Sequence, residues 1–261
     1  MLILIHSSKT MKISNNKKLK STIPIFLNEA IMLNDNLKNQ SLENIEEKMK
    51  VSKPLAEKTK KIIDNWNYDP KQQTRAGDAF IGDIYSGLQF NSLSKNDNEY
   101  ANQNLRIISG LYGILKPNDG IYPYRLEFEY KLAPKPIKNL YDFWGNKLSK
   151  QISDNLTILN LTSAEYEKAI IPYLKNSIII SPVFKTYNKE KRNFVSVAVH
   201  SKIARGNMAA WVIKNRIKEP ANLRNFSELG YIYDSKNSSD NRPVFLTKNF
   251  KGIGLSIRKN K

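Results

Sequence analysis

The sequence contains no cysteine and only two histidines, His6 and His200, in 261 residues. Without thiols the chain forms no disulfide, offers no thiolate to a metal and has no cysteine nucleophile. Two imidazoles are also few ligands for a zinc or non-haem iron centre, which usually binds several of them. We therefore expect no disulfide partner, no resident metal and no cofactor.

Long apolar runs are also missing. The apolar stretch at the start, MLILI, has about five residues, whereas a secretory signal needs about seven to fifteen after a basic start. The run NSIIISPVF, residues 176–184, is far shorter than the roughly 20 residues that cross a bilayer. We expect a cytoplasmic protein that begins with a buried strand and has no membrane partner.

Several enzyme signatures are absent as well. The chain contains no G-x-x-x-x-G-K-[ST] phosphate loop, no strand followed by G-x-G-x-x-G, and no G-x-S-x-G nucleophile elbow. A Ser-x-x-Lys pair is not formed at Lys9, because the residue three positions earlier is His6. None of these familiar mechanisms is therefore indicated.

Acidic residues are few relative to basic ones. Lys and Arg total 42 against 24 Asp and Glu, which gives a formal net charge of +18 at pH 7. Such a balance favours a polyanionic partner, above all DNA. The sequence is also crowded with Lys, Asn and Ile, a usage that AT-rich coding produces without any function. Charge alone leaves both explanations open.

The order of the predicted elements indicates one mixed domain. Strands and helices interleave irregularly without an internal repeat or a long linker, which favours an α+β fold over a doubly wound sheet. We predict a single mixed α/β domain over residues 1–261, with a central irregular sheet, surrounding helices and a basic cleft. A basic tail covers residues 248–261.

Residues 41–66 predict two short helices joined by about three residues. The pair is similar to a helix-hairpin-helix, which offers backbone N–H groups to a DNA phosphate. Lys53 and Lys58 make the second helix basic near its start. The usual hairpin glycines are missing, which limits how closely the backbone approaches phosphate. Two packed helices with a solvated lysine face are the alternative.

The stretch LRIISGLYGILKPNDGIYPYRLE, residues 105–127, places Arg106 and Arg125 on either side of a glycine-rich turn. Guanidinium groups bind phosphate or carboxylate through two parallel hydrogen bonds, so both arginines are candidate anion-binding residues. Glu127 is a candidate acid or base. In the alternative interpretation, the glycines serve tight packing and Arg125 pairs with a nearby glutamate.

Three further residues complete the candidate site. Lys9 follows the first predicted strand, and Asp83 lies beside glycines in a predicted strand and turn over residues 79–88. Arg205 sits where we expect a strand over residues 194–202 to pass into a helix. A cation at a helix N-terminus is unfavourable unless an anion joins it, which makes Arg205 a functional candidate. Lys9 alone is equally well explained as a surface lysine.

With these residues identified, the chain resembles the YaaA family of bacterial peroxide-stress proteins nearly end to end. The matching segments are MLILI and SKT at the start, FIGDIYSGL at 80–88, LRIISGLYGILKP and PYRLE within 105–127, LYDFWG at 140–145, NLTSAEYEKA at 160–169, PVFK at 182–185, KIARGNM at 202–208 and GY at 230–231. So many ordered segments at compatible spacing are not a chance agreement.

The resemblance implies a cytoplasmic protein that is made under hydrogen peroxide stress and keeps unincorporated iron low, which limits the Fenton reaction. It also implies a mixed α/β domain with a positively charged cleft and a helix-hairpin-helix-like element, associated with binding duplex and distorted DNA. The matching positions are the helix pair 42–66, Lys9, Arg106, Arg125, Lys202 and Arg205, with Asp83 and Glu127 as polar neighbours. The run His6-Ser7-Ser8 departs from the family's Ser-Pro-Ala-like run.

Two functions follow as hypotheses. In the first, the basic cleft binds DNA through its phosphates. In the second, an enzyme holds a small phosphate- or carboxylate-bearing substrate with Arg106, Arg125 and Arg205, and Asp83 or Glu127 acts as acid or base. A pocket too narrow for a duplex favours the enzyme, and an open groove of duplex width favours DNA. Direct iron sequestration is the weakest hypothesis.

Overall fold

The secondary structure interleaves short strands with helices, which confirms the predicted mixed α/β class. In the computed structural model, which describes residues 1–13 and 21–254, the strands are β1 Leu2–His6, β2 Thr10–Met11, β3 Thr74–Arg75, β4 Phe80–Ile81, β5 Leu105–Ser109, β6 Gly113–Leu115, β7 Gly120–Ile121, β8 Thr157–Asn160, β9 Ile178–Ile180, β10 Val183–Asn188, β11 Asn193–Val195, β12 Ile232–Tyr233 and β13 Val244–Thr247. The α-helices are α1 Leu27–Lys38, α2 Leu42–Met49, α3 Lys53–Asn65, α4 Ala76–Ala79, α5 Asp83–Leu88, α6 Lys95–Asn104, α7 Leu140–Trp144, α8 Ala164–Ile170 and α9 Ala198–Asn215. No helix in this described part of the chain is long and apolar enough to span a membrane.

The larger sheet has the strand order β6-β5-β1-β8-β9 and is more regular than predicted. Four of its strands run parallel and β6 alone is antiparallel to its neighbour. Every residue of β1 is buried, as expected for a parallel strand covered on both faces. Ile3 of β1 pairs with Leu105 on one side and with Leu159 on the other.

The strand order reverses at β1. The chain passes from β1 to β5 on one side and later returns to β8 on the other side. Loops that leave neighbouring parallel strands on opposite sides of such a reversal move apart and open a crevice at the carboxyl edge. The strand order therefore places a cleft beyond the ends of β1 and β8.

The smaller sheet has the order β11-β10-β13-β12 and packs one face on α9. Phe184 of β10 pairs with Phe245 of β13, and the two buried rings stack with their centroids 5.4 Å apart. Phe226 lies against both rings. This inner face is consequently a continuation of the hydrophobic core.

Helices α5 and α9 cross at two glycines. A Cβ atom added to Gly206 would lie 1.7 Å from the carbonyl oxygen of Ile84, and one added to Gly87 would lie 2.0 Å from the carbonyl oxygen of Ile203. The two backbones are therefore in direct contact. This contact brings the first turn of α5 beside α9.

Two predicted strands are wrong in part. Within residues 79–88 only Phe80–Ile81 is extended, and α5 follows. Within residues 194–202 the strand ends at Val195 and α9 begins at Ala198. The alternating valines of the second segment match a strand pattern, but packing against α5 and the smaller sheet favours the helix.

The predicted helix pair is present as α2 and α3. Ser41 caps α2, since its side chain accepts a hydrogen bond from the backbone N–H of Asn44 at 3.2 Å. Lys50 ends α2 with a positive φ of 53°, at a point where glycine is the usual residue. The use of this pair as a helix-hairpin-helix stays a prediction, as does the single-domain extent of the chain.

The described part of the predicted basic tail lies along α9. The ring of Phe250 stacks on His200 with 3.9 Å between centroids, and the backbone N–H of Lys251 donates to the carbonyl oxygen of Leu229 at 3.1 Å. The remainder of that tail, residues 255–261, lies outside the described residues.

We expect Gly206→Ala to lower the free energy of unfolding by about 1–3 kcal/mol, because the added methyl group forces α5 and α9 apart. In an exposed helix the same change would instead stabilise by about 1 kcal/mol. Denaturant unfolding measures the difference. Lys214→Ala, exposed on the same helix, is the control and should change stability by less than about 0.5 kcal/mol. An unchanged or raised stability of Gly206→Ala would show that the backbones do not touch.

Candidate functional site

A cleft of about 600 Å³ opens at the carboxyl edge of the larger sheet. Its walls are the loop after β1 at residues 7–10, the start of α5 at 82–84, the start of α8 at 163–166, and the side chains of Glu127 and Lys202. We call this the carboxyl-edge cleft. It lies where the reversal of strand order at β1 separates the loops that follow β1 and β8.

Glu127 is a buried carboxyl in the wall of the carboxyl-edge cleft, with only 4% of the residue exposed. Burial raises its pKa from 4.5 to about 7, against the opposing effects of a hydrogen bond from Tyr166 and the charges of Lys9 and Arg125. The Tyr166 hydroxyl donates that hydrogen bond to Oε2. A carboxyl group whose pKa lies near neutrality both gives and takes a proton at cellular pH.

Tyr166 links Glu127 to the loop that follows β1. Its hydroxyl oxygen lies 3.1 Å from Oγ of Ser7, a residue that is 2% exposed. Burial, together with the nearby charge of Glu127, raises the pKa of Tyr166 well above its ordinary value. The phenol therefore keeps its proton, and the three side chains form a hydrogen-bonded path from the cleft wall to the β1 loop.

His6 is the last residue of β1 and stacks on the ring of Tyr166, with 4.6 Å between centroids. Its Nδ1 lies 2.8 Å from the carbonyl oxygen of Ser7, which only accepts, so Nδ1 carries the proton. Burial lowers the pKa of His6 to about 4, and the charges of Arg205 and Lys202 add to this effect. The ring is neutral at pH 7, and its buried Nε2 has no hydrogen-bond partner within residues 1–13 and 21–254.

Two lysines and a second carboxyl also line the carboxyl-edge cleft. The Nζ atom of Lys9 lies 5.7 Å from the centroid of the Tyr130 ring, and Lys202 is exposed on α9. Glu165 accepts a hydrogen bond from the backbone N–H of Glu129 at 3.2 Å, and burial raises its pKa. The cleft thus presents both signs of charge.

Among the described residues, no group of three or more His, Asp or Glu side chains is arranged to hold a metal ion.

Arg205 lies within α9 and not at a helix N-terminus, because the helix begins seven residues earlier at Ala198. Its Nη1 donates to the carbonyl oxygen of Thr162 at 2.7 Å, which ties α9 to the loop after β8. The guanidinium helps to lower the pKa of His6 but does not line the cleft. The predicted placement of Arg205 at a helix start is therefore wrong, although the residue does lie close to the site.

Arg125 lies behind Glu127. Its positive charge opposes the rise of the Glu127 pKa, yet the described residues contain no carboxylate within 4.0 Å of it. The Nε atom of Arg125 is buried and lacks a hydrogen-bond partner in the same part of the chain. Arg125 therefore acts on the cleft through its charge and does not form part of its lining.

Arg106 lies toward the other end of the sheet, at the second residue of β5. Its Nη1 donates to the carbonyl oxygens of Asn102, Gln103 and Leu105, which close the last turn of α6. The glycine turn in the same stretch is packed: a Cβ atom on Gly110 would lie 2.3 Å from the carbonyl oxygen of Leu126. Arg106 consequently does not line the carboxyl-edge cleft, and Gly110 serves close packing.

The remaining candidates divide between the cleft and a separate surface. Asp83 is the first residue of α5 and lines the cleft. Lys53 and Lys58 are exposed on α3 and do not line it. Of the predicted site residues, the cleft is lined by Lys9, Asp83, Glu127 and Lys202.

The lining residues that sequence reasoning missed include His6, Ser7, Glu165 and Tyr166. His6 and Ser7 sit at the end of a strand, where a fully buried apolar run gives no functional signal of its own. Glu165 and Tyr166 belong to NLTSAEYEKA, residues 160–169, which contributes the loop and helix after β8. The position of that segment at the end of a strand is the signal that could have identified them.

Comparison with known proteins gives a consistent result over the whole chain. The family model described as "Peroxide stress protein YaaA" matches residues 1–237. A UPF0246 protein from Salinispora tropica is 40% identical over 260 residues, which cover 100% of this chain and 99% of that protein. UPF0246 proteins from Clostridium beijerinckii and Burkholderia vietnamiensis are 38% and 34% identical, over 94% of this chain and 97% and 98% of their own lengths.

We expect Glu127→Gln to become more stable relative to the natural chain as the pH rises. A folded-state pKa raised from 4.5 to about 7 contributes stability below pH 4.5 that is lost as the pH passes 7. Over this pH range the free energy of unfolding of the natural chain should fall by about 3 kcal/mol relative to that of Glu127→Gln. Urea unfolding at pH 5 and pH 8 measures it, with the exposed Glu129→Gln as control. Parallel stability curves for the natural chain and Glu127→Gln would contradict the raised pKa.

Proposed function

The chain belongs to the peroxide stress protein YaaA family, and we propose that it acts in the cytoplasm under peroxide stress by binding a small anionic molecule in the carboxyl-edge cleft and exchanging a proton with it through Glu127. One observation carries this proposal: a buried carboxyl with a pKa near 7 lines a cleft that also contains two lysines. Perturbed titratable groups in a concave site are typical of acid–base chemistry.

The dimensions of the cleft support a small ligand. Its volume of about 600 Å³ falls within the range of small-molecule sites, roughly 300–1,000 Å³. Among the described residues no arginine lines it, so the three-arginine clamp is replaced by Lys9 and Lys202 as the cations nearest to a bound anion. A duplex, which presents its phosphates along a rod, does not fit into such a cavity.

Six of the residues that line the cleft have a role in this proposal. Lys9 and Lys202 attract and orient the anionic group of the ligand. Glu127 takes a proton from the ligand or gives one to it, and the hydroxyls of Tyr166 and Ser7 hold the carboxyl in place. The neutral His6 packs on the Tyr166 ring and supports that ring in the wall of the cleft.

The proposal also includes an indirect effect on iron in the cell. We place the control of unincorporated iron downstream of the ligand that the cleft binds or converts, since thiolates are absent from the chain and imidazoles are scarce. In this scheme the protein limits Fenton damage without storing iron itself.

Small anions should stabilise the natural chain. We expect inorganic phosphate, citrate or adenosine monophosphate to raise the melting temperature, because a ligand at about 100 times its Kd adds about 2.7 kcal/mol to the free energy of unfolding. The double variant Lys9→Gln/Lys202→Gln should lose this response, whereas Lys58→Gln on α3 should keep it. If no anion in the panel acts, or if the double variant responds like the natural chain, the cleft is not the anion site.

Duplex DNA is the second candidate ligand, and the helix pair α2–α3 favours it. The first turn of α3 contains no acidic residue, and Lys53 and Lys58 are exposed beside it. Backbone N–H groups and lysines at a helix start suit a phosphate. Glu43 on α2 has a pKa lowered by hydrogen bonds to its own backbone and to Ser41 and, less strongly, by the charge of Lys53. Because this carboxylate adjoins the lysines, the local charge is mixed, and DNA ranks second.

Duplex binding by this route should depend steeply on salt. If about six to ten phosphates are bound, affinity should fall by roughly 10³–10⁵ between 50 and 200 mM salt. Lys53→Gln/Lys58→Gln should reduce the slope of log K against log salt by about 1.8, since each lysine that binds a duplex phosphate contributes about 0.9 to it. Fluorescence anisotropy with a labelled duplex measures both quantities, and Lys9→Gln/Lys202→Gln is the matched control. A flat salt response would exclude this candidate.

A further inference from the structure

The smaller sheet has a second face, which the core does not use. The strand registers pair Tyr187 with Phe194 and Lys185 with Leu246, and they pair Leu246 with Ile232 on the edge strand β12. These five side chains alternate with the buried residues of the inner face, so they project to the opposite side. We call this side the outer sheet face.

Aromatic and apolar groups are open on the outer sheet face. The rings of Tyr187 and Phe194 lie 5.3 Å apart at an interplanar angle of 66°, and both residues are partly buried. Ile232 is 71% exposed. A depression of about 600 Å³ is lined by Phe194, Ile232 and Leu246 of this face. The face therefore offers a shallow platform beside two neighbouring rings.

Positive charge surrounds this platform. Lys185 lies on the face, Lys248 and Lys251 lie beside the depression, and the turn between β10 and β11 carries Lys189, Lys191 and Arg192. None of these six cations forms an ion pair within residues 1–13 and 21–254. The nearby carboxylates are Glu190 in the turn and Asp234, which accepts hydrogen bonds from Lys236 and Asn237 in its own turn. The cations are thus available to an anionic partner.

We propose that the outer sheet face binds single-stranded nucleic acid, whose bases stack on Tyr187 and Phe194 while the six cations contact the phosphates. A sheet that exposes aromatic rings inside a cationic border is a common way to hold unpaired bases, since every base has a flat face for stacking. A duplex keeps its bases stacked inside and offers phosphates alone. An apolar protein partner would leave the six cations uncompensated. This site is separate from the carboxyl-edge cleft and from α3.

The test compares a labelled oligothymidylate of about 15 nucleotides with a duplex of equal length by fluorescence anisotropy. We expect the single strand to bind more tightly. Tyr187→Leu and Phe194→Leu should each weaken single-strand binding by about 5- to 100-fold, because each removes one stacking ring. Tyr187→Phe keeps the ring and should bind like the natural chain. Lys53→Gln/Lys58→Gln and Lys9→Gln/Lys202→Gln should leave single-strand binding unchanged, which separates this site from both proposed functions.

The charges are tested separately. Lys185→Gln/Lys248→Gln should reduce the slope of log K against log salt by about 1.4, because each cation that binds a phosphate of a single strand contributes about 0.7 to it. Photocrosslinking of the natural chain to a bromodeoxyuridine oligonucleotide should label the peptides that contain Tyr187 or Phe194. This measurement needs no variant, so it shows whether the single strand contacts the outer sheet face even if a leucine variant fails to fold.

Four outcomes would overturn the proposal. The first is equal binding of single strand and duplex with no effect of the leucine variants. The second is a crosslink on other peptides alone. The third is loss of binding to phosphatidylserine vesicles in the leucine variants while oligonucleotide binding persists, which would make the face a membrane contact. The fourth is a dimer in light scattering that the leucine variants dissociate without any change in oligonucleotide binding.

Discussion

The parallel pairing of β1 with both β5 and β8 is the constraint on which the rest of the structure depends. A strand that is buried on both faces and has hydrogen-bonded neighbours on both sides is held in place by close packing, which a shift in register would disrupt. Its position fixes where the following loops leave the sheet, and the reversal of strand order there opens the carboxyl-edge cleft. The close crossing of α5 and α9 at Gly87 and Gly206 then completes the wall.

Burial accounts for the chemistry of the carboxyl-edge cleft more than net charge does. The protein carries a net charge of +18, yet the side chains whose properties change most at the cleft are a carboxyl, a phenol and an imidazole. Each is removed from water, which disfavours its charged form: the pKa of Glu127 rises and that of His6 falls. The lysines remain at the rim, where water solvates them. With Asp83 and Glu165, which also line the cleft, they surround the proton-exchanging carboxyl with charges of both signs.

The three candidate arginines have different places in this protein from the anion clamp that the sequence suggested. Arg106 closes a helix, Arg205 ties α9 to the loop after β8, and Arg125 lies behind the catalytic candidate Glu127. Carbonyl oxygens hold the guanidinium groups of Arg106 and Arg205, whose planar shape and several donors join neighbouring segments. The exposed positive charge on α3 and around the outer sheet face is mainly lysine.

The local patterns of the sequence determined the mixed α/β class, the buried first strand, the helix pair α2–α3 and the choice of Lys9, Asp83 and Glu127 as candidates, to which the family resemblance added Lys202. These features depend on runs of neighbouring residues, whose hydrophobic period and turn chemistry act over short distances. Only the tertiary structure decided that α9 begins before Arg205, that Arg106 lies away from the cleft and that Tyr166 meets Ser7 and Glu127. Those outcomes depend on contacts between residues far apart in the chain, such as the 159 positions between Ser7 and Tyr166. Such contacts arise from strand order and helix crossing, and no local pattern encodes them.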